Sequence, residues 1–101
     1  MKVMYPAKFI HENRGEYSVL FPDLKGCCTC GDNWEHALLM AKEALGLYLV
    51  ALEEHGHVAP AATCIKTINI EQNENVVPIM VDISDFRRDK TEVLLLNETG
   101  S

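Results

Sequence analysis

The strongest constraint on the fold is one long amphipathic helix, which the sequence predicts from Asn33 to about Glu54. Asp32, followed three residues later by Glu35, has the form of a capping box, which satisfies the free N–H groups of a first helical turn. Gly56 can take the left-handed conformation that ends a helix. The apolar positions that share one stripe at helical spacing are Trp34, Ala37, Leu38, Ala41, Leu45, Tyr48 and Leu52. A helix with a single apolar face needs a second layer to cover it.

Alternating apolar residues predict that second layer. Three extended segments bounded by turn residues precede the helix, namely Val3–Ile10, Glu16–Phe21 and Cys27–Cys30. After the helix, Val76–Ile83 is strongly β-prone, whereas Ile65–Ile70 is compatible with an extended or an irregular conformation. The prolines at positions 6 and 78 cannot donate to a ladder, so both favour an edge strand or an irregularity in pairing. The order β-β-β-α-β predicts an α+β fold in which the helix packs on one face of a small, mainly antiparallel sheet.

Size and charge narrow the class of protein further. A chain of 101 residues holds one domain, and no apolar run in it is long enough to span a bilayer. The N-terminus lacks the unbroken apolar stretch of an export signal, so we expect a cytoplasmic protein with reduced thiols. The formal net charge is −6, which disfavours nucleic acid as a partner and favours a basic protein.

Three cysteines within four positions raise the question of a metal site. Cys27 and Cys30 have zinc-like spacing, but on a strand an interval of three places two side chains on opposite faces. Cys28 shares a face with Cys30, yet a second pair of ligands would have to come from elsewhere in the chain. His36 and His55 lie at opposite ends of the predicted helix, roughly 30 Å apart, so one ion cannot bind both. We expect no metal and no cofactor, with the thiols buried or half-buried as small hydrophobes.

Acidic residues gather around strand ends and loops on one side of the predicted hairpin. Ordinary solvated turns account for such residues, but an acidic rim would also attract a basic partner, because complementary charge speeds association and sets its register. The predicted partner-binding residues are Glu12, Glu16, Asp23, Leu24 and Asp32.

A second candidate surface lies on the polar side of the predicted helix. Leu39 and Val50 are eleven residues apart and align on one line, with Gly46 close to that line and Leu47 at its margin. Glycine inside a helix costs roughly 1 kcal/mol relative to alanine, which favours a role in letting another backbone approach. We predict that these four residues form the self-association surface of a homodimer or higher homo-oligomer.

Several segments together resemble one protein family. YPAKF is followed by GEYSVLFPDLKGCCTCGD, by the helix pattern W-x-x-A-L-x-x-A-K-E-A-L-x-L-Y-L and by VDISDFRR. Over roughly residues 3–90 this arrangement resembles HicB-like antitoxins of bacterial toxin–antitoxin pairs. The resemblance implies a partial RNase H-like fold and a HicA-like toxin as partner, a small basic RNA-cleaving protein that is neutralised by direct binding.

The resemblance also implies an antitoxin domain over residues 1–90 and a C-terminal tail over residues 91–101. Most such antitoxins carry a ribbon-helix-helix or helix-turn-helix module that binds a promoter. This chain stops at Ser101, too soon for either module. We therefore expect no direct binding of nucleic acid.

An RNase H-like fold raises the alternative of a vestigial or active metal-dependent nuclease, and a self-associating scaffold without a toxin partner is another. Two-metal chemistry needs several carboxylates that converge on one point. Asp82 is the only acid within a predicted strand at a plausible position, and one carboxylate cannot hold two metals. We predict no catalytic residues and a protein that acts by binding.

Overall fold

The computed structural model describes residues 2–87, and the predicted tail over residues 91–101 lies outside them. Within this range the chain forms four strands and one long helix. The strands are β1 (Lys2–His11), β2 (Tyr17–Leu20), β3 (Cys28–Gly31) and β4 (Glu74–Asp82), and the helix, α1, is Trp34–Glu54. The strand order is β3-β2-β1-β4, with every neighbouring pair antiparallel. The predicted α+β fold, with one helix after three strands, is confirmed.

Alternation along the strands puts the odd-numbered residues of β1 against α1. Tyr5 and Phe9 are both buried. Phe9 pairs with the buried Val19 of β2, and Tyr5 pairs with the buried Ile79 of β4. The helix contributes four buried residues spaced about one turn apart, namely Ala37, Ala41, Leu45 and Leu49. Together these side chains form the hydrophobic core between the two layers.

The helix lies directly on the end of β3, because Gly31 carries no side chain. A Cβ at Gly31 would stand 2.3 Å from the Ala37 nitrogen and 2.5 Å from the Ala37 Cα. These are backbone atoms of a packed helix, so they cannot move aside for a side chain. Gly31 therefore fixes the first turn of α1 against the sheet.

The helix begins one residue later than the sequence predicts. Asn33 is the N-cap, and its side-chain oxygen accepts a hydrogen bond of 2.9 Å from the His36 N–H. Asp32, the predicted cap, instead donates its own N–H to the His36 ring nitrogen at 3.0 Å. At the other end, Gly56 has the predicted left-handed conformation, with a φ of 73°, and its N–H bonds the Glu53 carbonyl at 3.1 Å. Among residues 2–87, no helix combines the length and the apolarity needed to cross a membrane.

The strand β1 is central in the sheet, although Pro6 predicts an edge or an irregularity. On one side, β2 ends at Leu20, opposite Lys8, so no β2 residue requires a donor from Pro6. On the other side Pro6 lies opposite Pro78, and neither residue has an N–H that could be left unpaired. Pro78 itself lies on an edge strand of the described sheet, as predicted.

Side-chain hydrogen bonds tie the connection between α1 and β4 to the rest of the fold. The Tyr5 hydroxyl donates to the Pro60 carbonyl. The Thr63 N–H donates to the Asp23 carboxylate at 2.9 Å, and the Thr63 hydroxyl donates to the same group. Further along, a single 3₁₀ turn at Ile65–Thr67 lies against β4. The segment 65–70 is therefore irregular and does not form a strand.

Candidate functional site

Three of the predicted acidic residues meet at one end of the sheet. Tyr17, at the start of β2, lies opposite Gly31, at the end of β3, so Glu16 and Asp32 adjoin this pair in the chain. Glu12 belongs to the same end, because its N–H donates to the Glu16 carbonyl at 2.9 Å across the β1–β2 turn. We call this region, which also contains the first turn of α1, the hairpin end.

The carboxylates of the hairpin end differ in how they are held. Glu12 is half-buried and accepts a hydrogen bond of 3.2 Å from the Ser18 hydroxyl. Asp32 is exposed, with one oxygen 3.8 Å from the His36 ring nitrogen. Glu35, in the first turn of α1, is also exposed. Asp32 and Glu35 lie at the positive end of the helix dipole, which stabilises negative charge there and gives both acids a structural role as well.

A row of aromatic rings crosses the hairpin end from β1 to α1. The rings of His11 and Tyr17 stack with centroids 4.9 Å apart, and Tyr17 meets Trp34 edge-on at 5.2 Å. Trp34 also packs on Phe9, whose ring centroid is 4.8 Å away. Trp34 is nevertheless 36% exposed, so it covers the core and still presents aromatic surface. We call His11, Tyr17 and Trp34 the aromatic row. Local sequence patterns miss it, because its members come from three different elements.

The other two predicted partner-binding residues lie elsewhere. Asp23 is in the connection between β2 and β3, at the opposite end of β2, where its carboxylate accepts the hydrogen bonds from Thr63. Leu24 is 1% exposed and belongs to the core. Turn hydrogen bonds link Phe21 to Leu24 and Leu24 to Cys27, and these bonds fold the leucine inward. The prediction that all five residues line one surface is therefore wrong.

The predicted self-association surface is only partly exposed. Leu39 and Leu47 are 66% and 53% exposed. Gly46 and Val50 are buried, and a Cβ at Gly46 would meet the Phe86 ring at 2.4 Å. The placement of Gly46 and Val50 on the polar side is wrong, because the segment after β4 packs against α1 and covers this part of the helix.

The three clustered cysteines differ in how far they are buried. Cys27 is buried, with its Sγ 3.8 Å from the Ala44 carbonyl oxygen, and burial together with the nearby Cys28 raises the pKa of its thiol to about 11. This residue is the small hydrophobe that the sequence predicts. Cys28 and Cys30 pair with Leu20 and Ser18 on the face away from α1 and are exposed, so the predicted burial is wrong for them. Among residues 2–87, no group of three or more His, Cys, Asp or Glu side chains is arranged to hold a metal ion.

Asp82, the carboxylate considered for nuclease chemistry, has a structural role. It accepts hydrogen bonds from the Ser84 hydroxyl at 2.6 Å and from the Ser84 N–H at 3.1 Å. These bonds cap the 3₁₀ turn at Ile83–Asp85, and the hydrogen bonding lowers the pKa of Asp82 to about 2. The carboxylate therefore holds the chain as it leaves β4.

Comparison of sequences relates residues 5–96 to a family described as HicB-like antitoxins of bacterial toxin–antitoxin systems. An uncharacterized 14.9 kDa protein from the rep-hol intergenic region of Haemophilus phage HP1 is 30% identical over 82 residues, which cover 80% of this chain and 61% of the relative. Antitoxin HicB 2 of Photorhabdus laumondii is 49% identical over 41 residues, which cover 41% of this chain and 29% of the relative. The chain thus spans less than two thirds of the length of either relative.

Comparison of structures gives the same fold. A toxin–antitoxin complex from Streptococcus pneumoniae contains a chain that matches with a TM-score of 0.77 and 23% identity, over 99% of this chain and 90% of that one. The antitoxin HicB of Burkholderia pseudomallei matches with a TM-score of 0.70 and 16% identity, over 98% and 88% of the two chains. A chain of the HicA3 and HicB3 toxin–antitoxin complex matches with a TM-score of 0.60 and 21% identity, over 79% and 96%.

Proposed function

Because this chain belongs to the HicB-like antitoxins of bacterial toxin–antitoxin systems, we propose that it neutralises a small, basic, HicA-like toxin by direct binding. The observation that carries this proposal is the family match, which extends over residues 5–96. Two of the solved structures that share the fold are described as toxin–antitoxin complexes, one of them of HicA3 with HicB3. The antitoxin acts in the cytoplasm, as a binding protein without catalysis of its own.

Electrostatics support a basic partner. The chain has a formal net charge of −6, and at the hairpin end four acids, Glu12, Glu16, Asp32 and Glu35, outnumber the basic Arg14 of the β1–β2 turn. Such a surface attracts a basic protein over distances of about 10 Å at ordinary ionic strength and raises the rate of encounter. We propose the hairpin end as the toxin-binding surface. Asp23 and Leu24 are not part of this surface. Asp23 accepts hydrogen bonds from Thr63 in the connection between α1 and β4, and Leu24 is buried.

The test uses a HicA-like toxin, the kind of small basic protein proposed as the partner. Purified alone, that protein should cleave labelled RNA, and an equimolar amount of this chain should abolish the cleavage. The association rate, measured by stopped flow, should fall as salt rises, because screening weakens the attraction of opposite charges. RNA cleavage that continues undiminished at saturating antitoxin would overturn the proposal. Cleavage of RNA by this chain itself, with Mg²⁺ or Mn²⁺ present, would contradict the role of a binding protein.

A further inference from the structure

We propose that the aromatic row at the hairpin end is the anchor of the toxin interface and takes an arginine side chain of the basic partner. This inference rests on the proposed function and goes further, because it names the residues that make the contact, His11, Tyr17 and Trp34, and the kind of side chain that they bind.

Two rings of the aromatic row, Tyr17 and Trp34, are packed against the fold before any partner arrives. Trp34 packs on Phe9, which is fully buried at 0% exposure, and its other neighbour, Tyr17, is paired within the sheet. The first turn of α1 is fixed by Gly31, whose missing side chain lets the Ala37 backbone approach. Binding therefore orders few side chains, and a preorganised surface loses little conformational entropy on association.

Aromatic side chains of this kind are typical interface anchors. Truncation studies of protein interfaces find the largest losses at tryptophan, tyrosine and arginine, which tend to pair with one another across the interface. A tryptophan that is 36% exposed and stands on a buried ring offers a flat apolar surface. The partner group that fits is flat and cationic, because acids flank Tyr17 and Trp34 in the chain.

The acids beside the aromatic row favour arginine over other partner groups. Glu16 precedes Tyr17, Glu35 follows Trp34, and Asp32 follows Gly31, the residue that pairs with Tyr17. A guanidinium can stack on an aromatic face while its N–H groups donate to carboxylates, a combination that a lysine ammonium matches less well. Bases of single-stranded RNA also stack on aromatic rings, but the carboxylates here repel the phosphates that would accompany them.

Trp34 provides a direct readout, since it is the only tryptophan in the chain. We would label the antitoxin with 5-fluorotryptophan and follow its single fluorine resonance while a HicA-like toxin is added. The resonance should shift when the toxin binds. Calorimetric binding without any change of this resonance would overturn the inference and leave the proposed function intact, whereas no binding at all would refute both. A shift caused equally by a single-stranded RNA oligonucleotide would also overturn it.

Charge variants locate the contact without disturbing the core. Glu35→Lys adds a positive charge beside Trp34, and Glu54→Lys makes the same change at the far end of α1; both residues are exposed. The two variants have equal net charge, so general attraction changes equally in both. We expect Glu35→Lys to weaken binding about tenfold more than Glu54→Lys, because only Glu35 lies beside the aromatic row. Equal affinities of the two variants would place the toxin elsewhere.

A truncation completes the test. Trp34→Ala should weaken toxin binding at least about tenfold, whereas Ile70→Ala, a truncation of a half-exposed apolar residue in the connection before β4, should leave it unchanged. Thermal unfolding of both variants shows whether the fold survives. Should Trp34→Ala unfold, Trp34→Phe keeps the ring on Phe9 and Tyr17 but presents less aromatic surface. Full affinity in a folded Trp34 variant would contradict the proposed anchor.

Discussion

The ring of Phe86 occupies the space that a side chain at Gly46 would fill: a Cβ there would stand 2.4 Å from two ring carbons. Gly46 lies well inside α1, and Phe86 follows the 3₁₀ turn after β4. The missing side chain therefore serves contact within the chain, which offsets the conformational cost of a glycine in a helix.

This contact predicts an unusual response to Gly46→Ala. In a helix interior the substitution normally stabilises by about 1 kcal/mol. Here the added methyl displaces the Phe86 ring, and overpacking usually costs about 1–3 kcal/mol, so after the gain in helix propensity we expect a net loss of up to about 2 kcal/mol. Urea denaturation of the two proteins measures the difference.

The control repeats the substitution after the ring is removed. Phe86→Ala alone should be destabilising, because it uncovers Gly46 and removes a ring that packs against the core. In that background Gly46→Ala should recover its ordinary sign and stabilise by up to about 1 kcal/mol. A stabilising effect of Gly46→Ala in the wild-type chain would contradict the contact.

The same contact shows why the sequence predicts some features and misses others. Alternation in β1 and the helical spacing of Ala37, Ala41 and Leu45 are local patterns, and they correctly identify the layers and the core. The burial of Gly46 depends on Phe86, forty positions later, which returns to α1 only after β4. The helical period carries no information about that return, so Gly46 falls on the predicted polar side.

The candidate site likewise has a part that the sequence predicts and a part that it misses. Glu12, Glu16 and Asp32 belong to the same end of the sheet, because strand pairing follows from the hairpin and the short connection to β3. Asp23 is also a carboxylate, but its partner is Thr63, forty residues later. The stacking of His11, Tyr17 and Trp34 depends on register and on where α1 begins, and a one-residue shift of the N-cap would already misplace Trp34.

Asp82 predicts a dependence of stability on pH. Its pKa is lowered from the ordinary value of 3.8 to about 2, chiefly by the hydrogen bond from the Ser84 hydroxyl. A carboxylate whose pKa is lowered in the folded state stabilises the fold fully when the pH is above its ordinary pKa. This stabilisation is lost as the pH falls through the lowered pKa. Asp82→Asn should therefore melt below the wild type at neutral pH, and the difference should shrink between about pH 4 and about pH 2.

Circular dichroism melts across this range measure the effect. Asp85→Asn, a loss of the same charge within the same 3₁₀ turn, is the control for charge alone. A melting difference for Asp82→Asn that stays constant down to about pH 2 would show that the carboxylate is not the titrating group. Toxin neutralisation at neutral pH should survive the substitution, since Asp82 serves the fold and lies outside the hairpin end.

The cysteines predict a stepwise reaction with a thiol reagent. Cys28, Cys30 and Cys64 are exposed, whereas Cys27 is buried, and its pKa of about 11 leaves little reactive thiolate at neutral pH. With Ellman's reagent the folded protein should release three equivalents quickly, and the fourth only in denaturant. Cys27→Ala should remove only the fourth equivalent, the one that reacts in denaturant. Four rapid equivalents from folded protein would place Cys27 at the surface.

The exposed face of α1 limits where this chain can self-associate. Leu39 and Leu47 are the large apolar residues of α1 that are more than half exposed, whereas Gly46 and Val50 are covered and cannot meet another molecule. We predict a homodimer whose helices contact through Leu39 and Leu47, since a two-fold contact presents the same face on both subunits.

Leu39→Lys combined with Leu47→Lys tests this by light scattering. The double variant should be monomeric at a concentration where the wild type is a dimer, because two lysines per chain face each other across the contact. Val58→Lys combined with Ile70→Lys adds the same charge at apolar residues that are 91% and 50% exposed outside the helix, and this control should remain a dimer. A wild type that is monomeric would refute the prediction. A Leu39 and Leu47 variant that stays dimeric would move the interface to another surface, with the open strand edges of the described sheet as the next place to look.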